Sequence, residues 1–458
     1  MTVNTSYLKK RETIVSRRFA YVTASAAAVA LAATACGAPD DEPGDDLPDW
    51  VSDCDTYSDF DSFDDETVTI SSSIRGDEAD EMTAAWDNFA ECVGITIQHE
   101  GSGNFEADMR VRVDGGNAPD LALFPQPGLM YQFADDMVPA NEATLAAAEE
   151  GWAEDWLEYG TFDGELYAPP HSANAKSFVW YSPEFFNDGG YDIPETWDEM
   201  MDLTETIAND GVTPWCVGVE SGEATGWPGT DWIEDAVLRE SPELYDDWIE
   251  HDVPFNDDDI ISAWDRAGDI LLNEDYVNAG HGGVNTIATV SFEEAGHPVA
   301  DGECAMHRQA SFYAAMWPDD TEIGEDGDVF IFQLPGDEPD DAPMLFGSEF
   351  VASFSEDDAT DTVREFLASE EYHNARMLTG EWTTAHLEAD PENALNDALV
   401  RTVEILHDEE MTSRFDGSDY MPGEVGAASF WTGIIDWLGG TPTEDVVTDI
   451  ENSWPDEE

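Results

Sequence analysis

Four short segments near the front of the chain decide the fold: VTISSS (68–73), DEADEMTAAWDNFAEC (77–92), ITIQHE (95–100) and DLALFP (120–125). The first, third and fourth are short runs with the composition and length of strands. In the second, Met82, Trp86, Phe89 and Cys92 recur at helical spacing, which makes 77–92 an amphipathic helix. Another helix is expected across 104–115. Strand, helix, strand, helix, strand is the order of a parallel sheet covered by helices.

The alternation resumes downstream. SFVWY (177–181) reads as a strand, and ETWDEMMDLTETIANDG as a helix closed by Gly211. PWCVGV (214–219), CAMHRQ (304–309), DVFIFQL (328–334) and MLFGSEFVASF (344–354) each read as one further strand, and the chain is mainly helical from Ala359. For 458 residues, two α/β lobes are the expected division. Ligands of open α/β sheets bind beyond the carboxyl ends of the strands. That rule singles out the loops 74–78, 101–105, 126–128, 220–232, 308–312 and 347–349, and two lobes facing each other across them form a cleft.

Upstream, Lys9, Lys10, Arg11, Arg17 and Arg18 precede the apolar run Phe19 to Ala35, which stops at Cys36. A basic, then apolar, then small-residue order is that of an export signal. Ala33, Thr34 and Ala35 before Cys36, with Gly37 after it, match a lipobox, whose cysteine becomes the lipid-bearing first residue. At about 17 residues the run is short for a membrane span of about 20. We therefore expect a protein held by lipid on the extracellular face of the cell membrane, with residues 1–35 as signal and 36–66 as an acidic spacer and N-terminal arm.

Beyond residue 35 the chain holds 11 basic and 103 acidic residues. Such charge opposes compaction at low ionic strength and is screened in molar salt, where the Debye length falls to about 3 Å. With 41% hydrophobic residues, 16 Trp and 22 Phe, the chain has the means to build a core. Acids spread over a halophilic surface fit that composition better than disorder. Nucleic acid is excluded as a partner by repulsion. Lys176 is the one lysine left beyond the signal, which marks it as a residue to follow.

Cys54, Cys92, Cys216 and Cys304 remain after Cys36, an even number that suggests two disulfides among three pairings. We expect Cys54–Cys92, stapling the arm to an early helix, and Cys216–Cys304, linking two later strands. No zinc or Cys-x-x-Cys spacing occurs, the nine histidines show no ligand spacing, and Asp53, Asp55, Asp59 and Asp61 lack the glycine and final Glu of an EF-hand loop. No metal or cofactor is expected. Gly-x-Ser-x-Gly, His-Glu-x-x-His and phosphate-loop motifs are absent as well.

SFVWYSPEFF, PWCVGVESGEATGWPGTDWIED, GECAMHRQASF, FGSEFVASF and VGAASFWTGIIDWL, behind a lipobox, resemble the sugar-binding receptors of ABC transporters, and most closely their alpha-glucoside-type branch within solute-binding protein family 1. The resemblance runs from about Val68 to Trp454. It implies a periplasmic-binding-protein-like fold of type II, with two lobes joined by hinge strands near 174–178 and 343–348. Lobe 1 would comprise 67–175 and 343–385, and lobe 2 would comprise 176–342 and 386–458 with the C-terminal helices. It also implies capture of a sugar for a membrane permease by a monomer that is not an enzyme. A secreted glycoside-processing enzyme and a surface adhesion lipoprotein are the alternatives.

A sugar offers apolar C–H faces and a rim of hydroxyls, so its receptor needs aromatic platforms beside carboxylates, amides and cations. Trp227 and Trp232, in a glycine-rich loop with Glu220 and Asp231, are the first stacking candidates, with a place in the core as the other role open to each. Trp431 matches a stacking position of the family. Glu349 stands where relatives often carry an acid that binds a sugar hydroxyl. Arg308 and Lys176 are donors in a chain nearly devoid of them, and Arg75, Glu78 and Gln126 occupy first-lobe loops. The acidity carries its own prediction: unfolding should require less denaturant as salt is lowered toward about 0.1 M, where the Debye length reaches about 10 Å. A midpoint indifferent to salt would remove the halophilic explanation.

Overall fold

The strands Glu66–Ser72, Ile95–Gly101 and Leu121–Phe124 run parallel in one sheet, in a computed structural model that describes residues 47–278, 282–339, 341–408 and 410–455. Phe350–Ser353 returns from far along the chain to close the sheet antiparallel to Leu121–Phe124. The helix Asp77–Val93 buries Met82, Ala85, Trp86 and Phe89, and the Phe89 ring stacks on Phe366 at 3.7 Å. Gly94 ends it in the left-handed region, φ 78°, where glycine is favoured. The second crossover helix is Phe105–Asp114.

A second sheet has the order Phe330–Gln333, Phe178–Tyr181, Cys304–Arg308, Thr213–Trp215, and only the last pair is parallel. Its core gathers Trp215, Trp232, Trp248, Trp264 and Trp437. The strand read across 214–219 stops at Trp215. Beyond Cys216 its amides are taken by the Asn278 side chain at Val217 and by the Ile287 carbonyl at Val219, so the ladder ends.

MLFGSEFVASF, read as one strand, is two. Met344–Gly347 pairs with Asn174–Ala175 and Ser413–Phe415 in a small third sheet, whereas Phe350–Ser353 belongs to the first. The break falls at Ser348 and Glu349. There the Glu349 amide donates to the Ser172 hydroxyl oxygen and its carbonyl accepts the His171 amide, so no strand partner remains for them. The third sheet links the two halves, and Ser413–Phe415, read only as part of a helical tail, is one of its strands. The signal segment, Cys36 and the spacer through residue 46 lie outside the described residues. Among the described residues no helix is long and apolar enough to cross a membrane.

Two disulfides fasten the ends of this framework. Cys54–Cys92 ties the arm to the helix Asp77–Val93, beside Tyr57, which packs on Phe89 and Phe366. Cys216–Cys304 joins neighbouring strand ends of the second sheet. Cys54 is exposed, whereas Cys216 and Cys304 are buried. Mild reduction of the folded protein followed by alkylation should therefore label Cys54 and Cys92 first, as peptide mass spectrometry would show. Replacing Cys216 and Cys304 by Ala should lower stability by about 4.6 kcal/mol, the chain-entropy value for a loop of that length. Equal labelling of both pairs would contradict this ordering.

Candidate functional site

Between the two large sheets lies a cavity of about 720 Å³. The first half contributes the loop after Glu66–Ser72, with Arg75 and Glu78, and the loop after Leu121–Phe124, with Gln126. The second half contributes Trp227, Phe292, Phe312 and Trp317. Lys176, Glu349 and Asp419 complete the wall beside the strands that cross between halves. Trp227, Phe292, Phe312 and Trp317 of the second half supply most of the ring faces, and carboxylates come from both halves and from the segments between them.

The sequence candidates divide in two. Arg75, Glu78, Gln126, Lys176, Trp227 and Glu349 line the cavity, and Glu220, Asp231, Trp232, Arg308 and Trp431 do not. Trp232 is core, meeting Trp215 edge to face at 5.3 Å. Glu220 lies just behind the wall, where its carboxylate accepts the Gly222 amide at 3.0 Å and shapes the loop. Arg308 is buried and binds Asp231 at 2.7 Å and Asp235 at 2.9 Å. Asp231 is the fully buried partner of that pair. Trp431 is buried behind Trp227. Gly226, at φ +118°, brings its backbone so close to the Trp431 carbonyl that a Cβ would lie 2.3 Å from it.

Sequence reasoning missed Glu106, Phe292, Glu293, Phe312, Trp317, Trp382 and Asp419. A rule based on strand ends could reach Phe312, since the 308–312 loop was singled out. Phe292, Trp317 and Trp382 lie in loops far along the chain, with nothing local to mark them.

The helix Trp227–Glu240 explains why the aromatic wall stays in place. Trp227, Asp231, Glu234, Asp235 and Arg239 recur at three- and four-residue spacing on one face. Lys176 sits against that face. Its ammonium donates to Asp416 and to Asp419 (3.1 Å), lies 3.7 Å from Asp231, and stands 5.7 Å from the Trp227 ring centre. Burial disfavours its charge, but Asp231, Asp416 and Asp419 hold its pKa well above the ordinary value. Lys176 is thus a paired support for the floor rather than a free donor. Asp231, Glu234 and Asp416 offer oxygens close enough to share a cation, and the Lys176 ammonium is the cation that reaches Asp231 and Asp416.

The carboxylates are differently tuned. Burial, followed by the charge of Glu349, pushes Glu78 up to about 7, against the opposing pull of Arg376. Burial works against ionised Glu349 too, yet His171 and the Ser172 hydroxyl, which donates to it, hold it below the usual range. Gln126 donates to Glu106 at 3.2 Å, and burial raises Glu106. Asp419 is raised by burial and by Asp416, its nearest like charge. Among the described residues the cavity holds abundant acceptors, one exposed guanidinium and several ring faces. That arrangement suits a neutral, hydroxyl-rich solute better than an anion.

Comparison with known proteins agrees with this geometry. Residues 75–369 match the family model of the bacterial extracellular solute-binding proteins. The osmoprotective compounds-binding protein GgtB of Synechocystis sp. is 39% identical over 85% of this chain and 92% of that protein. The alpha-glucosides-binding periplasmic protein AglE of Rhizobium meliloti is 34% identical, over 85% of this chain and 87% of its own. Among solved structures, the bacterial solute receptor AcbH superposes with a TM-score of 0.72 at 17% identity, over 84% of this chain and 98% of that one. Maltose-bound MalE3 of T. maritima superposes at 0.67 and 16% identity, over 84% and 98%. Both share the two-lobed fold. The chain belongs to the bacterial extracellular solute-binding proteins, receptors that hold a solute for an ABC transporter outside the cytoplasm and are not enzymes.

Proposed function

We propose that the cavity captures an alpha-glucoside, or a small glycosylated osmolyte of that kind, and that Cys36 carries the lipid that keeps the monomeric receptor beside its permease. The observation that carries this reading is the gathering of aromatic rings and carboxylates around one cleft. Trp227, with Phe292 5.1 Å away and Phe312 6.0 Å away, is the platform for a sugar ring. Glu78, Gln126, Glu349 and Asp419 are the partners for hydroxyls. The names of the two relatives, osmoprotective compounds in one and alpha-glucosides in the other, support this class of cargo. Closure would bend the crossing strands Asn174–Ala175, Met344–Gly347 and Ser413–Phe415, with lobes divided near residues 175, 343 and 385.

A thermal-shift screen in molar salt tests the cargo, using maltose, trehalose, sucrose, glucosylglycerol, monosaccharides, amino acids and peptides. Ligand at about 100 times its Kd stabilises the fold by about 2.7 kcal/mol, a clear rise in Tm. A shift confined to amino acids or peptides would overturn the sugar reading. With the cargo in hand, Trp227→Ala should weaken binding roughly thirtyfold, the equivalent of about 2 kcal/mol of buried ring surface, while the fold persists. Normal binding by that variant would displace the platform.

Glu78 gives a pH signature. Below about 7 it is protonated and loses its charge-assisted acceptance of a hydroxyl. Affinity should therefore tighten as pH rises from 6 to 8, and titration calorimetry on Glu78→Gln should find that slope gone. An unchanged slope would remove Glu78 from the site.

A further inference from the structure

We propose that Arg75 and Glu293 form a bolt across the mouth of the cavity that favours short glycosides over long ones; the inference rests on the glycoside reading above. Arg75 belongs to the first half and Glu293 to the second, and both line the cavity. Their side chains are 48% and 46% exposed, so the pair stands at the boundary between cavity and solvent. Arg75 Nη2 donates to Glu293 Oε1 at 3.4 Å. Among the described residues, every other ion pair lies within one half or involves the strands that cross between the halves and the segments beside them.

Both ends of the bolt are built on held backbone. Arg75 Nε donates to the Ser73 carbonyl, and a Cβ on Gly103 would lie 3.1 Å from its Nη1. The guanidinium therefore lies along the lip at 101–103. Opposite, the Glu293 carbonyl accepts the hydroxyl of Tyr313, a fully buried ring, and the Glu293 amide donates to the Ser291 hydroxyl oxygen. Beside the pair the two lips almost touch. A Cβ on Gly222 would lie 3.4 Å from the Gly103 carbonyl, and Gly222 holds φ +61°.

A solute that fits inside leaves the pair intact and gains from the closed mouth. A longer chain leaving past this lip must pass between Gly103 and Gly222 or break the ion pair. An exposed pair of this kind is worth up to about 1 kcal/mol, so it biases the choice by up to about fivefold. The bolt adds discrimination to a cleft whose rings and carboxylates accept sugar rings in general.

The test measures affinity for maltose and maltopentaose with the wild type, Arg75→Ala, Glu293→Gln and the charge-exchanged R75E/E293R. Removing either partner should raise the ratio of long-chain to short-chain affinity severalfold, up to about five. Exchanging the charges should bring the ratio back toward that of the wild type. A ratio unmoved by both single variants overturns the bolt, as does a shift that the exchange fails to reverse. Small-angle scattering of the ligand-free proteins supplies a readout that needs no sugar. Arg75→Ala should have the larger radius of gyration, and an unchanged radius overturns the bolt. If the wild type binds no glycoside of either length, the glycoside reading fails and the length selection with it, whatever the scattering reports.

Discussion

A buried network of charge at the junction of the two halves holds the rest of the structure in register. Asp235 accepts Arg308, Arg239 and the Ser177 hydroxyl, and that hydroxyl accepts the Leu345 amide from the neighbouring crossing strand. Lys176 reaches Asp416, whose own amide donates to the Phe346 carbonyl. Glu234 accepts the amides of Gly417 and Ser418 together with the Tyr245 hydroxyl. One helix face is thus tied to all three crossing strands. Taking such charges out of water is costly, and removing a single partner from a buried pair costs about 3–5 kcal/mol. Five carboxylates here meet three cations, and burial raises Asp231 to about 6 despite Lys176 and Arg308. The junction tolerates few single changes, which keeps Trp227 in one position.

The same network limits where motion can occur. A two-lobed receptor responds to a solute only as far as the solute prefers the closed form. The helix Trp227–Glu240 packs in the core of the second half, so the closure proposed above would have to be absorbed by the crossing strands. The contact at the lips is by contrast small and half-exposed. With a buried network at the junction and a weak, half-exposed contact at the mouth, the mouth is the contact that gives way first.

The acidity of the chain has a structural counterpart in the use of its few cations. Lys176, Arg239, Arg308, Arg364 and Arg376 are buried. Arg364 donates to the carbonyls of Val138 and Pro139, and Arg239 to those of Leu334, Pro335 and Pro343. Each pins loops that no strand would hold. These buried cations serve where the fold requires a donor, whereas Arg75 and the remaining described arginines stand at least partly exposed among the surface carboxylates.

Helical periodicity at Met82, Trp86 and Phe89 and the strand runs around it specify the three parallel strands of the first sheet from sequence alone, because such periods record which side of an element meets a core. Loops at strand ends likewise located Arg75, Glu78, Gln126 and Trp227. Residue type without placement misled at Trp232, Arg308 and Trp431, since a tryptophan reads alike in a core and in a cleft, and an arginine alike in a buried pair and in a binding site. Local patterns could not divide MLFGSEFVASF either, because its two halves are equally apolar and differ only in their partners. The chain's own order of residues determined two α/β halves, an acidic surface and a short set of candidate loops. Only the tertiary structure decided which tryptophan faces the cleft, that Lys176 is neutralised beneath it, and that Arg75 meets Glu293 across 218 residues of chain. Those outcomes depend on distances between segments remote in sequence, which no local pattern encodes.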